Sequence, residues 1–138
     1  MNFVLDASVA LAWCFSDEST PKTISLLEAL ETKSAYVPEL WPLEMGNILI
    51  AAERRQRVSY ADIAKFLTLL ESLSIKIDEG TAQRGFHEIL SLAYSTKLTT
   101  YDSAYLELAI RLGLPLATKD IQLQKAAKQM GVKLIDVT

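Results

Sequence analysis

Short apolar runs alternate with longer segments of helical spacing along this chain, and that alternation restricts its possible folds more than any other feature. Phe3-Val4-Leu5, Ala35-Tyr36-Val37 and Ile75-Lys76-Ile77 read as brief strands, with two more over residues 115–117 and 132–135. The intervening segments repeat apolar residues every three or four positions, as helices do. Helices are expected at Ser8 to Phe15, Pro21 to Glu31, about Pro42 to Gln56, after Ser59 (Ile63, Phe66, Leu67 and Leu70 on one face), Gly80 to Ser95, Asp102 to Leu112, and about 120–130. In the Gly80–Ser95 helix the expected stripe is Phe86, Ile89, Leu90 and Ala93. In the next it is Ala104, Tyr105, Leu108 and Ala109. Ser19 or Thr20 suits an N-cap before Pro21, Gly113 and Gly131 suit helix ends, and Pro38 should close the second strand. Alternating strands and helices build α/β domains. The expectation is one domain over residues 1–138, with a short parallel central sheet flanked by helices on both faces.

Acidic residues recur where these helices start. Asp6 and Asp120 follow apolar runs, whereas Glu44 and Asp102 fall in first turns. Each has an ordinary explanation. Asp6 can cap the helix near Ser8, Glu44 can complement a helix dipole, Asp102 can pair with Thr99, and Asp120 can lie in the first turn of a helix capped by Thr118. Leu98–Asp102 and Leu116–Asp120 share the pattern L-x-T-x-D, as if one device opened both helices. Taken together the four suggest more. In a parallel sheet such places can converge on the carboxyl edge of the strands, where these folds bind ligands. Four carboxylates gathered there repel one another unless a divalent cation lies among them, and Mg²⁺ favours carboxylates, waters and phosphate oxygens. Ser8, Asn47 and Thr118 stand close enough in sequence to orient such ligands.

Other chemistries find less support. The one histidine, His87, falls mid-helix, and there is no Ser–His or Cys–His pair. Neither G-x-x-x-x-G-K-[ST] nor G-x-G-x-x-G occurs. The lone Cys14 cannot form an internal disulfide, which suits a reducing cytoplasm. No apolar run reaches the roughly 18 residues of a membrane span, and the first run stops at Asp6, unlike a signal peptide. Net charge is −3 and the pI is about 5.2, so bulk charge cannot hold a nucleic acid. The densest basic stretch, Glu53-Arg54-Arg55-Gln56-Arg57, reads first as a solvated helix end and second as a phosphate contact. Phosphodiester hydrolysis by metal-activated water needs no histidine and tolerates an acidic protein, because the cation inverts the local field.

These residues resemble a PIN domain, and most closely a ribonuclease of the VapC type, the toxin of type II toxin–antitoxin modules. The likeness runs along nearly the whole chain. It rests on Leu5-Asp6-Ala7-Ser8, Glu44-Met45-Gly46-Asn47, the segment from Leu98 to Leu106 with its T-x-Y-D-x-x-Y, and Leu116-Ala117-Thr118-Lys119-Asp120. The resemblance implies that Asp6, Glu44, Asp102 and Asp120 form an acidic quartet binding Mg²⁺ or Mn²⁺, with Asp6 and Asp102 the most consistent ligands. It implies support from Ser8, Asn47 and Thr118, an RNA substrate, silencing by a cognate antitoxin, and a homodimer. Two positions depart from the pattern. Ser103 replaces a usual alanine, and Ile121-Gln122-Leu123-Gln124 replaces a stretch that is often basic, leaving Lys119 and Lys125 as nearby cations. The alternatives are a PIN-like module that binds RNA or protein without cutting, and a phosphatase or receiver domain on a similar sheet. The last two lack an aspartate at Ser8 or the required acidic pair and lysine.

Overall fold

The computed structural model describes all of residues 1–138. Four parallel strands form one sheet in the order β3-β2-β1-β4: β1 Phe3–Leu5, β2 Ala35–Pro38, β3 Ile75–Asp78 and β4 Leu116–Ala117. Phe3, Val4 and Leu5 are all fully buried although successive side chains point to opposite faces. Both faces of β1 are therefore covered, as the sequence predicted. The chain builds the sheet outward from β1 to β3, then returns across it to lay β4 on the other side of β1. That reversal puts the topological switch point at the carboxyl ends of β1 and β4, the place where open α/β sheets bind ligands.

The helices are α1 Ala7–Leu11, α2 Pro21–Ala29, α3 Trp41–Arg54, α4 Tyr60–Ser72, α5 Thr81–Arg84, α6 Leu90–Thr96, α7 Thr100–Leu112 and α8 Ile121–Gln129. A 3-10 turn spans Ser16–Glu18. α7 is the hub: Ser103 through Ala109 are all buried, and the helix packs on β1, β2, β4, α6 and α8. A helix apolar on nearly every side belongs inside a fold. Its boundaries have local causes. The Thr99 hydroxyl accepts the Asp102 N–H at 3.1 Å, and Gly113 ends the helix at φ +66°, a conformation costly for residues with a Cβ. Of the two expected caps for α2, Thr20 is the one used, in a reciprocal capping box with Thr23.

Three expectations need correction. The single helix over Gly80–Ser95 is broken by a π turn at Gly85–Ile89, with His87 at φ −116°, ψ −105°. A π turn inserts one residue into the helical count. Phe86 is accordingly swung out to 89% exposure instead of joining the buried stripe with Ile89. Leu67, 45% exposed, likewise falls off the packed face of α4. The strand over residues 132–135 shrinks to an isolated bridge between Leu116 and Leu134. Pro38 ends β2, as expected, and pairs with Asp78.

Candidate functional site

Asp6 leaves β1 and is only 5% exposed. It occupies the N-cap position of α1 but makes no side-chain capping bond, contrary to the capping role the sequence suggested. Its Oδ2 instead accepts two hydroxyls, Ser8 Oγ at 2.6 Å and Thr118 Oγ1 at 2.7 Å. Each hydroxyl is fixed in turn by a backbone N–H: Ser8 Oγ accepts from Lys119 at 2.9 Å, and Thr118 Oγ1 accepts from Asp120 at 3.0 Å. A hydroxyl has one proton, so a hydroxyl that accepts an amide keeps that proton for the carboxylate. The ends of β1 and β4 are thereby stitched together through Asp6, whose Oδ1 takes no hydrogen bond from another side chain.

The other three acids stand at the starts of separate helices. Glu44, in the first turn of α3, accepts the phenolic O–H of Tyr105 on Oε1. Asp102, third residue of α7, accepts no hydrogen bond on its carboxylate. Asp120 caps α8 itself, accepting the Leu123 N–H on Oδ1 at 2.9 Å. The shared L-x-T-x-D pattern therefore does not mean one shared device. Thr99 caps α7 with Asp102 inside the helix, whereas Asp120 is the cap of α8 and Thr118 turns back to Asp6.

Electrostatics shows that Asp6, Glu44 and Asp102 feel acidic neighbours. Burial raises the Asp6 carboxyl above its ordinary value, opposed by its bonds from Ser8 and Thr118 and reinforced by Asp120. Burial also raises Glu44, with Asp6 and Asp102 adding to the shift. Asp102 is pushed up to about 6 by burial and by the charges of Asp6 and Asp120. Tyr105 is raised too, by burial and by the neighbouring Asp6 and Glu44 charges, so it remains a donor. None of the four acids takes part in an ion pair. Each keeps at least one carboxylate oxygen without a side-chain donor. As the side chains stand, no three acids converge into a finished cation cage. The donor set nonetheless suits a hard divalent cation: oxygens only, negative, and lacking any protein cation.

The sequence model of the PIN domain matches residues 3–129. The chain belongs to the PIN-domain family. Its fold is similar to PAE2754 from Pyrobaculum aerophilum, with a TM-score of 0.72 and 25% identity over 99% of this chain and 90% of that one. It is also similar to VapBC2 from Rickettsia felis, crystallised with a DNA fragment of its promoter (TM-score 0.68, 12% identity, 98% of each chain). A third relative in fold is FitAcB from Neisseria gonorrhoeae (TM-score 0.52, 19% identity, 99% of this chain and 97% of that one). No curated protein sequence matches the chain.

Within this PIN domain, Ser8 and Thr118 contact Asp6 directly. Asn47 does not join them: it is exposed on α3 and bonds to none of the acids. Lys119 is turned away, its Nζ donating to the Glu18 carbonyl at 3.2 Å. Arg57 is also committed, to Asp17 and Glu18 and over the Phe15 ring at 3.8 Å, which settles it as a structural residue. Tyr105 was expected to face inward, and it does, but its hydroxyl tip belongs to the site. The T-x-Y-D-x-x-Y motif carried that signal. An aromatic one turn after an N-terminal acid can fill the core and still present an O–H at the helix start.

Proposed function

We infer that this PIN domain is a Mg²⁺- or Mn²⁺-dependent endoribonuclease, the toxin of a toxin–antitoxin pair, acting in the cytoplasm as a homodimer silenced by its antitoxin. One observation carries the reading: four carboxyls near the switch point of the sheet, three of them raised by burial and by acidic neighbours, with oxygens to spare and no protein cation. Structural acids rarely remain so. A buried carboxylate without a partner is costly, and such arrangements collect at functional sites. VapBC2 and FitAcB support the fold, and the toxin assignment rests on the motifs through which the sequence resembles the VapC type.

Asp6, Glu44, Asp102 and Asp120 would hold the cation. A bound Mg²⁺ or Mn²⁺ supplies an activated water and offsets charge on the leaving oxygen. The chain does the rest. Ser8 and Thr118 hold Asp6 in one rotamer, so its free oxygen points in a fixed direction. Tyr105 does the same for Glu44. Asp102, whose carboxylate accepts no hydrogen bond within the protein, is the acid left free to orient the attacking water. Its position at the start of the buried α7 keeps that carboxyl still relative to Asp6.

The direct test is cleavage mapping of total cellular RNA by the purified protein with Mg²⁺, beside Asp102→Asn. Discrete cuts by the wild type alone are expected. Identical patterns from both proteins would leave the nuclease reading without support.

A further inference from the structure

A cavity of about 370 Å³ opens between the π turn and the first turn of α7. Leu40, Gly85, Phe86, Thr100, Tyr101 and Ala104 are among its lining residues, and none of the lining residues is charged. Its lining residues neighbour two of the acids along the chain, Glu44 and Asp102. The Leu40 carbonyl accepts the Glu44 N–H at 2.9 Å, and Thr100 and Tyr101 directly precede Asp102. Two large rings stand open to solvent here, Phe86 at 89% and Tyr101 at 65% exposure.

The exposure of Phe86 is imposed. A continuous α-helix would have placed it in the stripe with Ile89 and Ala93. The π turn, with His87 outside helical φ/ψ, turns it outward instead. Leaving a phenyl ring in water forgoes its burial energy, and π turns are frequent at functional sites.

The charge distribution narrows what the rings could receive. The protein places no cation in the lining of this cavity, and its net charge is −3. An uncharged aromatic cavity repels neither part of a strand but rewards only the bases, which stack on rings once they are unpaired. Thr100 and Tyr101 also carry hydroxyls with no partner inside the protein, free to meet a base edge. We propose that Phe86 and Tyr101 form a stacking subsite for one unpaired base next to the scissile phosphate. The enzyme would then select single-stranded RNA over duplex at this position. The proposal rests on the ribonuclease reading.

The test uses the full chain and short single-stranded oligoribonucleotides carrying 2-aminopurine, whose fluorescence is quenched by stacking. Binding is measured in the Asp6→Asn background, and cleavage in the wild-type background. Phe86→Ala and Tyr101→Ala should each weaken single-strand binding by about 5- to 100-fold, the usual range for one stacked base. The quench should disappear, and the loss in cleavage should fall mainly on KM. Phe86→Trp should keep both affinity and quench, and Phe86→Leu should not. Both positions are exposed, so melting curves should not move. Unchanged affinity and quench in the two alanine variants would overturn the subsite. If those variants instead lost binding to the antitoxin, the cavity would belong to a protein partner and the subsite would again be overturned. A wild type that neither binds nor cuts RNA would fail the ribonuclease reading itself. A wild type that cuts while Phe86→Ala and Tyr101→Ala cut equally well would fail this inference alone.

Discussion

Two groups of acids lie in this domain, and the fold treats them in opposite ways. Asp78 ends β3, and Glu107 lies in the middle of α7 with 7% of its side chain exposed. Between them Arg111 donates two hydrogen bonds to Asp78, at 2.9 and 3.1 Å, and two to Glu107, at 2.9 and 3.2 Å. Arg84 adds an ion pair to Glu107 at 3.7 Å. These acids are neutralised by planar, forked donors that match carboxylates. Asp6, Glu44, Asp102 and Asp120 have hydroxyl and amide donors but no cation. The Arg111 guanidinium holds the Asp78 carboxyl below its usual range, while burial and mutual repulsion lift Asp6, Glu44 and Asp102. A strand-end acid is thus not a site by position alone. What separates the groups is whether the protein brings its own positive charge.

The sharpest way to break that comparison is to remove one acid from each group. Asp6→Asn should reduce RNA cleavage by about a hundredfold or more, the scale of losing one electrostatic contact to a transition state. Asp78→Asn should cut RNA at close to the wild-type rate and should melt earlier. Rates and melting curves measured on the same preparations check both halves. Equal loss of cleavage in the two variants would mean that the groups are not functionally distinct.

The paired group should dominate stability. Arg111→Met keeps most of the side-chain volume but leaves Glu107 and Asp78 without their main partner. Removing one partner of a buried pair costs about 3–5 kcal/mol, and partial exposure of Asp78 and Arg111 argues for the lower end, near 3 kcal/mol. Urea unfolding measures this. A midpoint unchanged from the wild type would show that Arg84 alone compensates the two acids.

The contrast also explains how far the sequence could be read. The strands β1 to β3, the buried face of α7 and the caps at Thr20, Thr99 and Gly113 depend on local spacing and chemistry, so they were legible. Asp6, Ser8 and Thr118 meet because β1 and β4 are neighbours, a consequence of parallel order that the alternating pattern implies. Asp78 shows the limit. Ile75-Lys76-Ile77-Asp78 has the same apolar-run-then-acid form as the segment before Asp6, and only an arginine 33 residues away gives it a different role. The π turn was invisible for a related reason. Residues 80–95 fit helical spacing well enough, and only packing against α7 decides where one extra residue enters. Asn47 failed as a helper because one turn after Glu44 is a place on the helix, and that place faces solvent.

Metal should act on the unpaired group alone. A cation that binds the folded protein and not the unfolded chain adds about 2.7 kcal/mol at a hundredfold excess over its Kd. Mg²⁺ or Mn²⁺ should therefore raise the melting temperature of the wild type and of Asp78→Asn. It should raise that of Asp6→Asn or Asp102→Asn much less. Chelation should abolish the gain. A wild-type melting curve insensitive to millimolar metal would remove the shared-cation account of the four acids.

The smallest expected effect is the most specific to the repulsion itself. In metal-free protein Asp102 is raised from its ordinary 3.8 to about 6. Its folded form holds the proton more tightly than the unfolded chain, so its contribution to stability is complete below about pH 4. It is lost as pH rises through about 6. Asp78 works the other way, because its pKa is lowered: its contribution exists above the ordinary carboxylate range and disappears in acid. The two trends oppose each other in any whole-protein curve. The difference between wild type and Asp102→Asn isolates the first, since the asparagine cannot titrate. That difference should move against the wild type between pH 4 and 6.5, by roughly 1 kcal/mol once solvent screening of this half-exposed group is allowed for. Adding Mg²⁺ should flatten or reverse the slope, because the cation favours the ionised carboxylate. A difference that stays level from pH 4 to 7 in chelator would mean that Asp102 does not feel Asp6 and Asp120 as the geometry indicates.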